Sequence, residues 1–81
     1  MSTQVNFPKS GMGIDEGTIA RWLKVAGQKV RKGEVIVEIE TAKALQEVEA
    51  PASGTLAEIL FKEGETAAVN TAIAVIEEDH G

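Results

Sequence analysis

One lysine stands out among the residues of this chain that could carry chemistry. Lys43 lies in a short stretch, residues 41–44, between two runs with strand character, residues 35–40 and 45–50. Pairing these runs about their centre gives a hairpin with Lys43 at its tip. Ala42 and Lys43 both disfavour a positive φ, so the sequence predicts a type I turn and not the primed turns common in tight hairpins. We therefore expect the amine of Lys43 to project into solvent.

The sequence neighbours of Lys43 limit the chemistry that it can do. A lysine at a turn is most often a solvated charge and nothing more. Four carboxylates lie near it in the sequence: Glu38, Glu40, Glu47 and Glu49. Nearby carboxylates favour the charged ammonium, and a charged amine is not a nucleophile. If Lys43 takes part in chemistry, we expect it to be a substrate that another enzyme modifies.

The other candidate chemical groups are weak. His80, the single histidine, is one residue from the end of the sequence and is typical of a fraying tail. The segment Gly11-Met12-Gly13 lacks the strand–loop–helix context of a phosphate-binding loop. Cysteine is absent, which excludes disulfides, thiol nucleophiles and thiolate metal sites. No catalytic set can be assembled, so we expect a module that is not itself an enzyme and holds no metal.

The composition argues against several classes of function. The 81 residues carry a formal net charge of −5, so the chain is a poor candidate for binding nucleic acid or an anionic membrane. One basic stretch is better explained as a solvated face than as an anion site; it holds Arg21, Lys24, Lys29, Arg31 and Lys32. No apolar run has the length of a membrane span, and the first residues lack a signal-peptide pattern. The expected location is the cytoplasm.

The chain nearly repeats itself. Residues 17–40 align with residues 54–77 at a constant offset of 37 without a gap, and eight of the 24 pairs are identical. The identical pairs are Gly17/Gly54, Thr18/Thr55, Ala20/Ala57, Leu23/Leu60, Gly27/Gly64, Ile36/Ile73, Ile39/Ile76 and Glu40/Glu77. Each unit is too short to bury a hydrophobic face alone, so we expect the halves to pack on each other with approximate two-fold symmetry. Function should then lie where this symmetry is broken.

Turn-forming residues divide the chain into segments of strand length. Proline, glycine and asparagine recur at short intervals and leave segments of about four to nine residues. The predicted strands cover residues 4–7, 18–24, 35–40, 45–50, 55–61 and 72–77, with two short ones near 29–31 and 66–69. The predicted fold class is all-β, a flattened barrel or sandwich of two small antiparallel sheets.

The predicted core departs from strict alternation. Ile36 and Ile39 are three residues apart, so a flat strand would point them to opposite faces. Their repeat partners have the same spacing, and a β-bulge or a strand that changes sheets would bury both members of each pair. The residues expected inside are Val5, Phe7, Ile19, Trp22, Val30, Val37, Ile39, Val48, Leu56, Ile59, Val69 and Ile76. Trp22 could serve as a binding platform, but a lone indole in a β-rich chain favours the core.

An insertion breaks the repeat in its first half. Pro8 precedes Gly17 by nine residues. Pro51 precedes Gly54 by only three, so the first half carries six additional residues. This glycine-rich neighbourhood is typical of an exposed loop available for recognition. The candidate recognition residues are Lys9, Ser10, Gly11, Met12, Gly13, Ile14, Asp15 and Glu16, together with Glu40 beside the hairpin tip.

Motifs along nearly the whole chain point to one known family. They are Phe7-Pro8-Lys9, Glu16-Gly17-Thr18-Ile19, Trp22-Leu23, Gly27, Lys32-Gly33, Glu40-Thr41-Ala42-Lys43-Ala44, Pro51 and Gly54. With these motifs the chain resembles a lipoyl domain of the 2-oxo acid dehydrogenase multienzyme complexes, within the biotinyl/lipoyl carrier superfamily. Such domains typically read Glu-Thr-Asp-Lys-Ala at the hairpin, and their lysine is amidated by lipoic acid. Lys43 matches that lysine, with Thr41, Ala42 and Ala44 flanking it in the turn.

This resemblance implies an architecture and a mode of action. It implies two four-stranded sheets with pseudo-two-fold symmetry, the modified lysine at one end and both termini at the other. The implied partners are a lipoate ligase or lipoyl transferase, a thiamine-dependent decarboxylating component, an acyltransferase core and dihydrolipoamide dehydrogenase. The lipoyl group on Lys43, a flexible arm, would carry acyl groups between the decarboxylase, the acyltransferase and the dehydrogenase. The inserted loop would help the decarboxylase choose its carrier domain. The isolated domain, residues 1–78 with a tail or linker at 79–81, is expected to be a monomer.

One position departs from the family pattern, and two alternatives remain open. Ala42 replaces the usual Asp, which leaves the attachment position intact but affects how partners recognise the arm. Biotin carriers resemble Ala-Met-Lys-Met, whereas both neighbours of Lys43 are alanine, so lipoate is favoured over biotin. The third reading is an unmodified structural module whose hairpin only packs against a partner protein.

Overall fold

The elements of the described residues are all β-strands. The computed structural model describes residues 1–7 and 15–78. Its strands are β1 (Ser2–Asn6), β2 (Glu16–Trp22), β3 (Lys29–Val30), β4 (Val35–Glu40), β5 (Leu45–Glu49), β6 (Gly54–Ile59), β7 (Thr66–Ala68) and β8 (Ala72–Glu78). All eight predicted strands are confirmed, with ends shifted by up to two residues. The part of the chain that is described contains no helix long and apolar enough to cross a membrane.

The strands form two four-stranded antiparallel sheets that exchange places under the repeat. The first sheet has the order β1-β8-β6-β3 and the second the order β5-β4-β2-β7. The offset of 37 relates β2 to β6, β3 to β7 and β4 to β8, and β1 and β5 are the edge strands beside β8 and β4, so each strand of one sheet has its counterpart in the other. Each sheet therefore contains strands from both halves, and each half needs the other to complete its four-stranded sheet. The predicted fold class and its pseudo-symmetry are confirmed.

Paired β-bulges bury the isoleucines that strict alternation would separate. The register of β4 against β5 shifts between Val35 and Val37, which leaves Ile36 as the extra residue. The register of β1 against β8 shifts in the same way between Val5 and Asn6, at the position of Ile73. Ile36 and Ile73 are both fully buried. The predicted bulges are thus present, and each half of the repeat has one at the equivalent place.

The core lies between the two sheets, and three predicted core residues lie at its rim. Its buried members are Val5, Phe7, Ile19, Val30, Ile36, Val37, Ile39, Val48, Ala50, Leu56, Ala67, Ile73, Ala74 and Ile76. Trp22, Ile59 and Val69 are only partly buried, which corrects the prediction. Trp22 and Ile59 are repeat partners, and each is the last residue of its strand, so it packs against the edge of the core. The indole of Trp22 donates to the carbonyl of Phe61 over 2.8 Å, so it packs against the rim and is no open platform.

Turns of each half bond to strands of the other half. Gly27 donates its amide to the carbonyl of Leu56 over 2.7 Å. The repeat-related amide of Gly64 donates to Ile19 over 2.8 Å. Both glycines have positive φ, +97° and +89°, which residues with a side chain rarely adopt. These reciprocal bonds join the halves along both sides of the sandwich.

The hairpin between β4 and β5 has its structural counterpart where Met1 lies beside the end of β8. Thr41 donates its amide to the carbonyl of Ala44 over 2.9 Å. At the equivalent place in the first sheet, Glu78 donates its amide to the carbonyl of Met1 over 2.8 Å. Of these two symmetry-related places, one is the closed turn of residues 41–44. At the other, Met1 is hydrogen-bonded to Glu78 at the end of β8.

Candidate functional site

The turn of residues 41–44 places Lys43 at the end of the hydrogen-bonded ladder between β4 and β5. Glu40, the last residue of β4, lies opposite Leu45, the first residue of β5. Lys43 and its neighbours Ala42 and Ala44 are exposed, as the sequence predicts. Among the described residues other than glycine, positive φ occurs only at Asn70, so the turn is not of a primed type. The side chain of Lys43 therefore leaves a defined backbone and enters solvent.

The side chain of Thr41 closes this turn. Its hydroxyl donates to the carbonyl of Ala44 over 2.9 Å and accepts from the amide of Ala44 over 3.2 Å. The amide of Lys43 makes a longer contact, 3.4 Å, with the same oxygen. A hydroxyl has one proton to donate and two lone pairs to accept with, and all three are used here. Thr41 is buried while the rest of the turn is exposed.

The start of β2 lies at the same end of the molecule as Lys43. Thr18 pairs with Glu40 in the second sheet. Because Glu16 precedes Thr18 by two residues in an antiparallel strand, it extends past Glu40 to the level of the turn. Asp15 lies just before it and accepts a hydrogen bond from the amide of Val69 over 2.9 Å. The recognition candidates Asp15, Glu16 and Glu40 are thus grouped near the lysine.

The remaining recognition candidates lie outside the described residues. These are Lys9, Ser10, Gly11, Met12, Gly13 and Ile14. The residues on either side of this segment are described: Phe7 accepts from the amide of Asn70 over 3.0 Å, and Asp15 accepts from the neighbouring Val69. The ring of Phe7 lies against Gly17, which adjoins the pair of Thr18 with Glu40. The chain therefore enters and leaves residues 8–14 at the lysine end.

The four carboxylates near Lys43 in the sequence are spread along the hairpin. Glu38 and Glu47 face each other directly across β4 and β5, two pairs below Glu40 and Leu45. Glu49 pairs with Val35 at the far end of the ladder, remote from the turn. A like-charge pair directly opposite on one face of a sheet is unfavourable. The outer face of the second sheet is therefore acidic toward the lysine end.

Part of the basic stretch is neutralised within the fold. Lys24 forms an ion pair with Glu34 at 3.1 Å. The backbone amide of Arg31 donates to the Glu34 carboxylate over 3.1 Å. This hydrogen bond, together with the nearby ammonium of Lys24, lowers the pKa of Glu34 below its ordinary value. These contacts agree with a solvated, structural face and provide no sign of an anion site.

The hydrogen bonds of Thr41 were not predicted from the sequence, in which it is only a residue that flanks Lys43. The signal in the sequence was the residue type, since a threonine that precedes a turn can bond the turn amides with its hydroxyl.

Across residues 1–7 and 15–78, no group of three or more His, Cys, Asp and Glu side chains could hold a metal ion. The turn with Lys43, and the acidic residues beside it, is the candidate site.

Comparisons with known proteins agree on the family. A family model described as "Biotin-requiring enzyme" matches residues 3–76. The chain is 49% identical over 78 residues, 96% of its length, to the dihydrolipoyllysine-residue succinyltransferase component of the 2-oxoglutarate dehydrogenase complex of Staphylococcus saprophyticus. It is 43% identical over 76 residues to the dihydrolipoyllysine-residue acetyltransferase component of the acetoin cleaving system of Bacillus subtilis. It spans only 18% and 19% of the length of these relatives, so it matches one module of each.

Among solved structures, one is similar to this chain in both sequence and fold, and another is similar in fold alone. The solution structure of the lipoyl domain of the Azotobacter vinelandii 2-oxoglutarate dehydrogenase complex is 35% identical with a TM-score of 0.74. That match covers 94% of this chain and 99% of the other. The urea carboxylase of Kluyveromyces lactis gives a TM-score of 0.80 at 23% identity over 95% of this chain and 6% of the enzyme, which shows a common fold. The chain therefore belongs to the biotinyl/lipoyl carrier family, and within it to the lipoyl domains of 2-oxo acid dehydrogenase complexes.

Proposed function

We propose that this domain carries lipoic acid in amide linkage to Lys43. The observation that carries the proposal is the exposed lysine on a turn closed by hydrogen bonds at the end of the β4–β5 ladder. The lysine matches the residue that the family motif modifies, and its neighbours Ala42 and Ala44 leave it open to a modifying enzyme. The relatives named above are dihydrolipoyllysine-residue components, which agrees with a lipoyl group on this chain.

The turn fits the chemistry of attachment. The Nζ atom of Lys43 must lose a proton, attack the carboxyl carbon of lipoate activated with ATP, and form the amide bond as AMP leaves with the electrons of the broken C–O bond. A second proton leaves the nitrogen, so attachment removes the positive charge of the side chain. The exposed methyl groups on either side of Lys43 leave room for the enzyme that performs this step.

The domain supplies position, and the attached group supplies the chemistry. When bound, lipoic acid offers a disulfide that can be reduced while an acyl group is taken up and passed on. The fold keeps the attachment point at one end of the molecule, and tethering raises the effective concentration of the arm at each active site within its reach. The proposed partners are a thiamine-dependent decarboxylase, an acyltransferase and dihydrolipoamide dehydrogenase, after modification by a lipoate ligase or lipoyl transferase in the cytoplasm.

Intact mass spectrometry of the domain made in cells supplied with lipoate and biotin tests this proposal. We expect a mass gain of one lipoyl group, located on Lys43 by peptide mapping. A gain of one biotinyl group would favour the biotin carrier instead. Unmodified protein, or the group on another lysine, would contradict the assignment of Lys43.

Lys43→Arg is the matched substitution. It should abolish the modification and change the free energy of unfolding by less than about 0.5 kcal/mol, because an exposed turn side chain contributes little to packing. Lys32→Arg, at an exposed position in another turn, is the control that should remain fully modified. Denaturant unfolding and intact mass measure the two effects separately. A large loss of stability in Lys43→Arg would contradict the exposed position of this side chain.

A further inference from the structure

The hydroxyl of Thr41 has an exceptional environment in this small domain. Within residues 1–7 and 15–78, Thr41 is the only buried polar residue, with 9% of its surface exposed. Its side chain bonds both the amide and the carbonyl of Ala44, at 3.2 and 2.9 Å, and reaches the amide of Lys43 at 3.4 Å. One side chain therefore bonds to two of the three residues that follow it in the turn.

The other residues of the turn cannot replace this hydroxyl. Ala42 and Ala44 have methyl side chains, which cannot hydrogen-bond to the backbone. Lys43 is the residue to be presented, and its side chain is exposed. Thr41 is thus the side chain available to hold the direction in which the Cα–Cβ bond of Lys43 points.

The pseudo-symmetry shows that the fold itself does not require threonine here. The residue equivalent to Thr41 at the offset of 37 is Glu78, which occupies the same ladder position in the first sheet. There the strands are held by the backbone bond between Glu78 and Met1, and the Glu78 carboxylate bonds to Thr3. The sandwich thus accommodates a different side chain at this position. The threonine is therefore needed for the structure of the turn and not for the packing of the sandwich.

From these contacts we infer that Thr41 is a positioning residue for modification of Lys43, a role that rests on the proposed function. The hydroxyl restricts the turn to one backbone arrangement, so that the lysine side chain enters the active site of the modifying enzyme along a single direction. Without the hydroxyl, the amide of Ala44 loses its partner and the carbonyl of Ala44 keeps only the backbone bond from Thr41, so the turn loosens and the lysine samples several directions. Attachment then slows although the amine itself is unchanged.

Three substitutions separate this role from a general loss of stability. Thr41→Val keeps the branched shape and removes the hydroxyl, whereas Thr41→Ser keeps the hydroxyl. Thr3→Val removes a partly buried hydroxyl from the opposite end of the sandwich and serves as the control. Each variant is incubated with lipoate, ATP and a lipoate ligase, and kcat and KM for the domain are measured by mass spectrometry. Hydrogen exchange at the amides of Lys43 and Ala44 reports the order of the turn independently of the enzyme.

We expect Thr41→Val to lower kcat/KM about tenfold, the size of effect that follows from losing a positioning hydrogen bond. Exchange at Ala44 should accelerate in this variant. Thr41→Ser and Thr3→Val should stay within about twofold of the unaltered domain. Modification of Thr41→Val at the unaltered rate, or equal slowing of Thr3→Val, would overturn the positioning role while Lys43 remained the site. Failure of the unaltered domain to be modified at Lys43 would instead overturn the proposed function, and the role of Thr41 with it.

Discussion

At the scale of single residues, Ala42 is the position where the chain departs from its family at the point of attachment. Ala42→Asp adds a carboxylate at an exposed turn position near Glu40, where water and salt screen it. We expect the free energy of unfolding to change by at most about 0.5 kcal/mol and lipoylation to persist. If the proposed decarboxylase partner is adapted to the methyl group of Ala42, its acylation of Ala42→Asp should slow.

The rate of reductive acylation measures this effect, with a decarboxylase from a complex whose carrier has Asp at this position as the comparison. That second enzyme should acylate Ala42→Asp faster than the unaltered domain. Equal rates for both carriers with both enzymes would show that position 42 does not determine the choice of carrier.

Residue-level chemistry was only partly predictable from the sequence. Lys43 could be identified because two strand-forming runs flank it and because the family motif aligns on it. The hydrogen-bond partners of Thr41 could not be predicted, since the bonds of a hydroxyl depend on the backbone conformation of the turn. The rim positions of Trp22 and Ile59 were likewise hidden, because a strand pattern does not show where the edge of the core lies.

At the scale of elements, the β4–β5 hairpin carries a like-charge pair that its symmetry partner lacks. Glu38 faces Glu47 in the second sheet, whereas Val75 faces Gln4 at the equivalent place in the first. Glu47→Gln should raise the free energy of unfolding by about 0.2–0.5 kcal/mol at low salt, because it removes the repulsion across the strands. The gain should shrink as ionic strength rises.

Denaturant unfolding at low and high salt checks this prediction. Glu49→Gln is the matched control, since it also removes one carboxylate from β5 but that carboxylate faces Val35 and has no charge opposite it in the pair. It should change stability less than Glu47→Gln does. A gain for Glu47→Gln that is independent of salt would show that repulsion is not its cause.

The connection between β1 and β2 is the element in which the two halves differ in length. Deletion of residues 9–14 leaves Pro8-Asp15-Glu16-Gly17, which has the same spacing as Pro51 to Gly54 in the second half. We expect the shortened domain to fold and to be lipoylated, because a connection of this length already joins the equivalent strands β5 and β6. Reductive acylation by the cognate decarboxylase should fall sharply.

Circular dichroism, intact mass and acylation kinetics measure these three properties of the shortened domain. An unchanged acylation rate would exclude residues 9–14 from recognition. The strands on both sides of this segment could be predicted from the spacing of turn-forming residues, whereas the bulges could be anticipated only as a way to bury Ile36 and Ile73. A bulge leaves no signal of its own in the sequence beyond that broken alternation.

At the scale of the whole molecule, the identical glycines of the repeat serve the packing of the two sheets unequally. A Cβ atom on Gly54 would lie 2.1 Å from the backbone oxygen of Glu77. On Gly17 it would lie 2.7 Å from the ring of Phe7 and 2.8 Å from a methyl group of Ile39. Side chains can shift, but the backbone of β8 is held by strands on both sides.

Gly17→Ala should therefore cost about 1–3 kcal/mol, the usual range for overpacking, and Gly54→Ala should cost more than Gly17→Ala. The two midpoints of denaturant unfolding provide the comparison, because the same methyl group is added at equivalent places of the repeat. Equal midpoints would show that β8 moves as easily as the side chains around Gly17.

The bond between Glu78 and Met1 lets the molecule be reconnected in another order. It occupies the place that the bond between Thr41 and Ala44 holds across the pseudo-two-fold. A circular permutant opened between Ala42 and Lys43, with a two-residue link from Glu78 to Met1, would keep all the described strands, and so short a closure has a small entropic cost. Its new hairpin would lie at the opposite end of the sandwich. A lysine in that link would test whether a modifying enzyme recognises a β-turn on this scaffold or the face beside it.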